Sequence, residues 1–339
     1  MKINNRLNIL LVILTAAVIT AAVCYLFYTY PAEISQSGEA NEIEQLNRVQ
    51  QKDYVKLLFV GDLMFDRGIR YYSEKNGGND FIFSAQGGPA SSWETLSDFL
   101  KSNDLVIANL EGPITDNKSI SAGTKPGSTN NYYFTFDPSL AKTLFEKNIR
   151  LVNLGNNHIL NFGKNGLEST RNYLNENNID YFGAPGYPKG ILIEIGGIKI
   201  SFVSYNEFSN LPKEIEEKST IDEIQKFKEY SDIIIIYSHW GYEYMLKNNK
   251  AQENLAYKFI DAGADLIIGS HPHVIQNMEI YNSKRIYYSL GNFIFDQYFD
   301  ENVRNGLGVI VKIDKNTKQL DFSEEYFYLD SNGQTVPLY

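Results

Sequence analysis

Five apolar runs in this chain each give way to residues able to ligate a metal or move a proton. The run 56–60 leads into Gly61-Asp62 and the run 105–110 into Glu111. The run 150–154 is followed by Gly155-Asn156-Asn157-His158, 232–237 by Ser238-His239, and 265–268 by Gly269-Ser270-His271-Pro272-His273. Two carboxylates, an amide and all four histidines of the 339-residue chain are thus gathered at run ends. A dinuclear centre for phosphoryl transfer needs a carboxylate that can bridge two cations, neutral imidazoles to fill each shell, and an open position for a nucleophilic water. Asp62 and Glu111 can supply the negative charge, His239, His271 and His273 the nitrogen donors, and Asn157 a neutral oxygen. Mixed oxygen and imidazole donors favour manganese, iron or zinc over calcium. Singly, each piece is ordinary: Gly-Asp and Asn-Asn are common turn pairs, and a lone histidine after a strand more often makes a structural hydrogen bond. Jointly they point to one or two divalent ions.

The apolar runs are the strands that must position these residues. Amphipathic stretches at 93–101, 138–147, 166–176, 215–230 and 252–262 lie between them and predict helices, so the pattern is that of an α/β domain. Ligands of an open α/β sheet bind beyond the carboxyl ends of its strands, which is where these side chains would converge on one rim. Hairpins are predicted at 191–205, around Gly196-Gly197, and at 274–290, around Asn282-Ser283, with two more strands in the tail 307–328. The Gly-, Ser-, Asn- and Pro-rich segments 77–88 and 115–131 read as long surface loops. In His271-Pro272-His273, an extended backbone would turn both imidazoles to the same side.

Other polar residues near these motifs carry weaker signals. Arg67 and Arg70 follow Asp62 closely enough to neutralise a phosphate or carboxylate, with surface ion pairing as the alternative. Glu243 lies four residues beyond His239 and could orient a ligand or be a solvated loop charge, while Asn292 follows a strand and could face the site. There is no G-x-x-x-x-G-K-S/T loop, no G-x-G-x-x-G after the first strand and no G-x-S-x-G elbow, which disfavours P-loop nucleotide hydrolysis and serine hydrolysis. The aromatic content, with 24 tyrosines and 20 phenylalanines, could line a sugar or peptide groove, but core packing accounts for most of it.

The formal net charge is −10, and beyond residue 30 the chain has 29 basic against 41 acidic residues. Nucleic-acid binding, which needs clustered Lys and Arg, is thereby disfavoured. The one cysteine, Cys24, falls in the uncharged run 9–28, so the domain has no disulfide and no thiolate ligand. Twenty residues at 1.5 Å each span about 30 Å, the thickness of a hydrocarbon core. The sequence therefore predicts a cytoplasmic N-terminus at 1–8, a transmembrane anchor at 9–30, a flexible linker at 31–53 and a domain at 54–339. Lys2 and Arg6 before the run and four glutamates after it place the large domain outside the cell membrane, in a single-pass arrangement. A cleaved signal peptide is the competing reading, although its apolar core is usually shorter.

The ordered series G-D-L-M-F-D-R, D-L-V-I-A-N-L-E-G-P, N-L-G-N-N-H, S-H-W-G-Y-E-Y, G-S-H-P-H-V and S-L-G-N-F-I-F-D, spread over about 55–300, resembles the motifs of the CapA, or poly-γ-glutamate capsule biosynthesis, family. That family is similar to the calcineurin-like metallophosphatases, and the resemblance implies a β-sandwich flanked by helices. It further implies that Asp62 ligates a first metal, that Glu111 bridges, that Asn157, His239 and His271 bind a second metal and that His273 returns to the first. His158 would be the acid that protonates the leaving group, with Arg67 as anion clamp. Two departures from the phosphatase pattern stand out: Asp62-Leu63-Met64 lacks the histidine of a D-x-H pair, and Glu111 stands where aspartate is usual. Asp66 would then substitute, or only one ion would bind tightly. The function so implied is a metal-dependent, phosphoesterase-like hydrolase serving capsule polymer synthesis or export. Its partners would be membrane synthase or export subunits, and its substrate an anionic polymer or phosphoester. The alternatives are a non-catalytic scaffold and a metal-dependent amide hydrolase.

Overall fold

The computed structural model describes residues 52–87 and 94–338. The expected anchor at 9–30, Cys24 and nearly all of the linker lie outside the described residues. Among the described residues, no helix is long and apolar enough to cross a membrane.

The described strands form two sheets. The first runs β14-β13-β12-β1-β2-β3-β4, with β11 also pairing with β1. Its parallel half is β1 (Tyr54–Leu63), β2 (Leu105–Leu110), β3 (Ile149–Asn153) and β4 (Asp180–Phe182). Its antiparallel half is β12 (Asn305–Asp314), β13 (Leu320–Leu329) and β14 (Thr335–Pro337), while β11 (Asn292–Ile294) lies parallel to β1. The second sheet runs β5-β6-β7-β8-β10-β9, with β6 (Ile198–Asn206), β7 (Ile233–His239), β8 (Leu266–Ser270) and β10 (Lys284–Tyr287) parallel. β5 (Gly190–Ile195) and β9 (Met278–Tyr281) close its edges as antiparallel hairpins with β6 and β10, at the two turns expected from the sequence.

The sheets face each other through aromatic contacts: Phe59 of β1 lies 6.3 Å from Phe202 of β6, and the Tyr237 hydroxyl of β7 donates to the Val60 carbonyl at 2.6 Å. Parallel strands covered on both faces should read as continuous apolar runs, and β2 is buried at every position. Outside the first sheet pack α1 (Arg67–Lys75), α2 (Leu96–Lys101), α3 (Ser139–Glu146) and α4 (Gly163–Glu176), which share a core with Leu58, Val106 and Val152. Outside the second pack α5 (Lys213–Phe227) and α6 (Lys250–Ala262), against Val203, Ile234 and Ile267. The mixed α/β class is as expected.

Several boundaries differ from the sequence reading. The helix expected from residue 93 starts at Leu96, because Thr95 and Asp98 form a capping box there. Asp62 and His239 lie inside their strands rather than beyond them. Gly61 is required by a close approach: a Cβ at this position would stand 1.9 Å from the carbonyl oxygen of Gly291. That carbonyl accepts a hydrogen bond from the Asp62 amide at 3.1 Å, so the backbone contact that positions Asp62 is the one a side chain would break. Overpacking costs about 1–3 kcal/mol, more where backbone must move. Gly61→Ala is expected to lower unfolding free energy by at least about 3 kcal/mol. Chemical denaturation measures this, and an unchanged midpoint would contradict the assignment.

Candidate metal centre

The carboxyl ends of β1, β2, β7 and β8 and the loops after β3 and β8 meet at one place, and Glu111 is its middle. The residue follows β2, its amide donates to the Leu63 carbonyl at 2.9 Å, and it is fully buried. Neither of its carboxylate oxygens has a hydrogen-bond partner. Burial first, and then the charge of Asp62, holds its acid well above the usual carboxylate range.

Three imidazoles turn the same nitrogen toward Glu111. The Nε2 atoms of His239, His273 and His158 lie 3.8, 3.8 and 4.0 Å from Glu111 Oε1. In each ring, Nδ1 is held by a side-chain oxygen: Ser270 Oγ at 3.0 Å for His239, Asn292 Oδ1 at 2.9 Å for His273, and Asn161 Oδ1 at 3.1 Å for His158. Anchoring one ring nitrogen aims the other at the centre, as ligating histidines need, and it aims the His158 ring in the same way. The separations are too long for hydrogen bonds. They suit two donors sharing an ion, since each bond to a first-row metal is about 2.0–2.2 Å.

Asp62 is fully buried beside this group. Its Oδ1 accepts from Asn109 Nδ2 at 2.8 Å, its Oδ2 accepts from the His271 amide at 3.2 Å, and Oδ2 lies 3.4 Å from His273 Nδ1. Asn157 Oδ1 sits 2.8 Å from His239 Nε2. His271 is 4% exposed, its Nδ1 has no hydrogen-bond partner, and its ring lies 4.8 Å from that of His239. Among the described residues, potential ligand atoms fall into three overlapping groups, Glu111 with His239 and His271, Asp62 with Glu111 and His273, and Glu243 with His271 and His273; within each they lie within 4.8 Å of one another. A buried, unpaired carboxylate among imidazoles is a donor set that fits a divalent transition metal, with Glu111 common to two of the groups.

The electrostatics follow from burial and neighbours. His239 and His271 are held well below the usual imidazole range by burial and by the other histidines, and His158 is pushed down to about 4, mainly by burial. These rings are neutral at neutral pH, the form that ligates. Burial would lower His273 too, but the charges of Glu111 and Asp62 outweigh it and raise the ring to about 9.

Two sequence expectations are corrected. His271 and His273 do not lie on an extended segment: their φ angles are +93° and +57°, in the left-handed region, and the rings converge through a strained loop with centroids 5.9 Å apart. Asp66 is not free to replace the absent histidine. Its carboxylate caps α1 through the Arg67 amide at 2.8 Å, and also accepts from the Thr135 amide at 2.9 Å and Arg70 Nε at 3.2 Å. Arg70 thus serves an ion pair and the Thr135 carbonyl. Arg67 is held between the rings of Phe134 and Phe295, pairs with Asp296 and donates to Asn131 Oδ1 at 3.0 Å.

Sequence reasoning missed the amides that fix the centre. Asn109, buried within β2, donates to Asp62 and lies 3.3 Å from His239 Nδ1, while its own Oδ1 accepts from Asn153 at 3.1 Å and Asn156 at 3.2 Å. A polar residue inside an otherwise apolar strand was the available signal. Phe208 was also missed; its ring covers His271 at 4.1 Å.

Residues 56–297 match the sequence profile of the family described as "Bacterial capsule synthesis protein PGA_cap". The chain is 31% identical over 261 residues to the PGA biosynthesis protein CapA of Bacillus subtilis, covering 72% of this chain and 64% of that protein. It is 28% identical over 268 residues to the capsule biosynthesis protein CapA of Bacillus anthracis, covering 73% of this chain and 61% of that protein. A probable polyglutamine synthesis accessory protein of Mycobacterium tuberculosis is 25% identical over 218 residues, 57% of this chain and 56% of that protein. The chain therefore spans less than two thirds of the length of these curated relatives. On the profile match and the B. subtilis relative together, the chain belongs to the CapA family of bacterial capsule synthesis proteins.

Proposed function

We propose that the protein serves capsule polymer synthesis or export as a membrane-anchored, extracytoplasmic, metal-dependent hydrolase of the phosphoesterase type. The observation that carries this reading is Glu111, buried with both oxygens unpaired and met by three imidazole Nε2 atoms whose Nδ1 atoms are tied back. Two facing sheets with helices outside agree with a metallophosphatase-like sandwich. The uncharged run 9–28 supports the single-pass anchor, and the names of the relatives, which speak of PGA and capsule biosynthesis, support poly-γ-glutamate as the polymer; synthase or export subunits would be its partners.

Asp62, Glu111, Asn157, His239, His271 and His273 would hold one or two ions of manganese, iron or zinc. When bound, such ions supply Lewis acidity toward a phosphoryl oxygen and lower the pKa of water. The chain's own residues do the rest. His158 is stacked against Phe134 at 4.4 Å, and with Nδ1 on Asn161 its Nε2 faces the centre. The ring enters neutral and must collect a proton, which an arriving phosphate's negative charge favours, before passing it to the leaving oxygen. Arg67, fixed between two aromatic rings, would turn part of its guanidinium from Asp296 to the anionic substrate. His158→Ala is expected to lower phosphodiesterase turnover about 10²–10⁴-fold while leaving bound metal unchanged. Parallel assays of turnover and metal content test this, and full activity in the variant would reject the assigned role.

Met64 supports a second reading, a scaffold without turnover, because a buried methionine fills the position where the phosphatase pattern has a histidine. In that case polymer export would tolerate His158→Ala.

A further inference from the structure

The expected first metal position is short of one donor, since Met64 is buried and its sulfur accepts the Asp66 amide at 3.0 Å. The loop after β7 offers a replacement. Glu243 brings a carboxylate oxygen into the same 4.8 Å group as ring nitrogens of His271 and His273, although the residue is exposed and lies on no strand.

This placement is built rather than accidental. The Tyr244 amide donates to the Pro272 carbonyl at 2.8 Å, which stitches the residue after Glu243 to the residue between the two histidines. Tyr244 takes a left-handed φ of +64° to do so, and its ring lies 6.2 Å from that of His273. On one side of Glu243, the Gly241 amide donates to Glu207 at 2.8 Å; on the other, Gln276 Nε2 donates to the Met245 carbonyl at 2.8 Å. A free loop charge needs none of these ties. The second observation is His271 itself, 4% exposed, whose Nδ1 has no hydrogen-bond partner. A buried imidazole nitrogen left without a partner costs free energy unless something binds it.

We propose that Glu243 is a direct metal ligand on the solvent side of the centre, joining His273 at the first metal position, where Met64 supplies no donor, with His271 of the second position beside it. The proposal rests on the metal-dependent reading above and adds to it a ligand outside the phosphatase pattern. One carboxylate with two imidazoles is a donor set for manganese, iron or zinc, and coming from an exposed loop it can be released without unfolding the domain. Three carboxylates around two divalent ions would leave the centre with a net positive charge, which suits an anionic ester.

The test uses the full chain, stripped of metal and titrated with Mn²⁺ alone and with Zn²⁺ alone by calorimetry, with no substrate present. Glu243→Gln is expected to weaken at least one bound ion tenfold or more, or to lower the stoichiometry by one, with the thermal midpoint of the metal-free protein unchanged. Glu243→Asp, one methylene shorter, is expected to fall between the two, and it serves as the probe if the Gln variant folds poorly. Isotherms of both variants identical to wild type would overturn the proposal while leaving the metal reading intact. Wild type that binds neither ion would overturn both.

Discussion

Adding Mn²⁺ or Zn²⁺ to the metal-free protein is expected to raise its unfolding free energy by about 4 kcal/mol at a free concentration a thousand times the dissociation constant. EDTA should reverse the gain. The size follows from linkage, because the proposed ligands come from strand ends scattered between Asp62 and His273 and the unfolded chain offers no such site. The dependence on pH also has a definite sign. His239 and His271 are already neutral at neutral pH, whereas Glu111 and His273 have raised pKa values and must give up protons to ligate. Affinity should therefore climb as pH rises toward about 9, the value for His273, with proton release that calorimetry in buffers of different ionisation heat would count. A metal-induced shift in stability that is absent, or equal in a chain lacking Glu111, would contradict this.

Glu111→Gln separates a metal ligand from a structural carboxylate. Breaking a buried ion pair by removing one partner costs about 3–5 kcal/mol. Glu111 makes no hydrogen bond, its neighbouring imidazoles His239 and His158 are neutral, and its one charged neighbour, His273 at 3.8 Å, keeps Asp62 as a carboxylate partner at 3.4 Å. The metal-free variant is therefore expected to lose little stability, while metal affinity falls more than about a hundredfold, beyond what loss of an outer-shell contact gives. Thermal unfolding with and without metal reads both quantities. A large loss without metal, with metal binding preserved, would make Glu111 a fold-stabilising residue instead.

Much of this arrangement was legible in the chain because it depends on local pattern. Apolar runs with polar exits marked β1, β2, β3, β7 and β8, and parallel strands bring their carboxyl ends to one side, so the rim could be read without coordinates. The geometry that departs from local pattern was not legible. Asn109 looks like a stray amide in an apolar strand until Asp62, Asn153, Asn156 and His239 are seen around it, contacts that span 44 to 130 residues. The backbone at His271 and His273 is left-handed, a conformation that residue type does not announce and that tertiary contacts impose. Asp66 looked like a spare carboxylate because nothing in the sequence shows that α1 begins at the next residue and uses it as a cap. Glu243 stayed open between a ligand-orienting residue and a loop charge because its position is set by Tyr244 reaching the Pro272 carbonyl.

The most direct measurement is anomalous diffraction from crystals of the full chain soaked in Mn²⁺. The expected result is an anomalous peak at about 2.0–2.2 Å from a Glu111 oxygen and from the Nε2 atoms of His239 or His273. Crystals at saturating Mn²⁺ with no anomalous density there, and with Glu111 still unpaired among the histidines, would contradict the assignment of a metal centre.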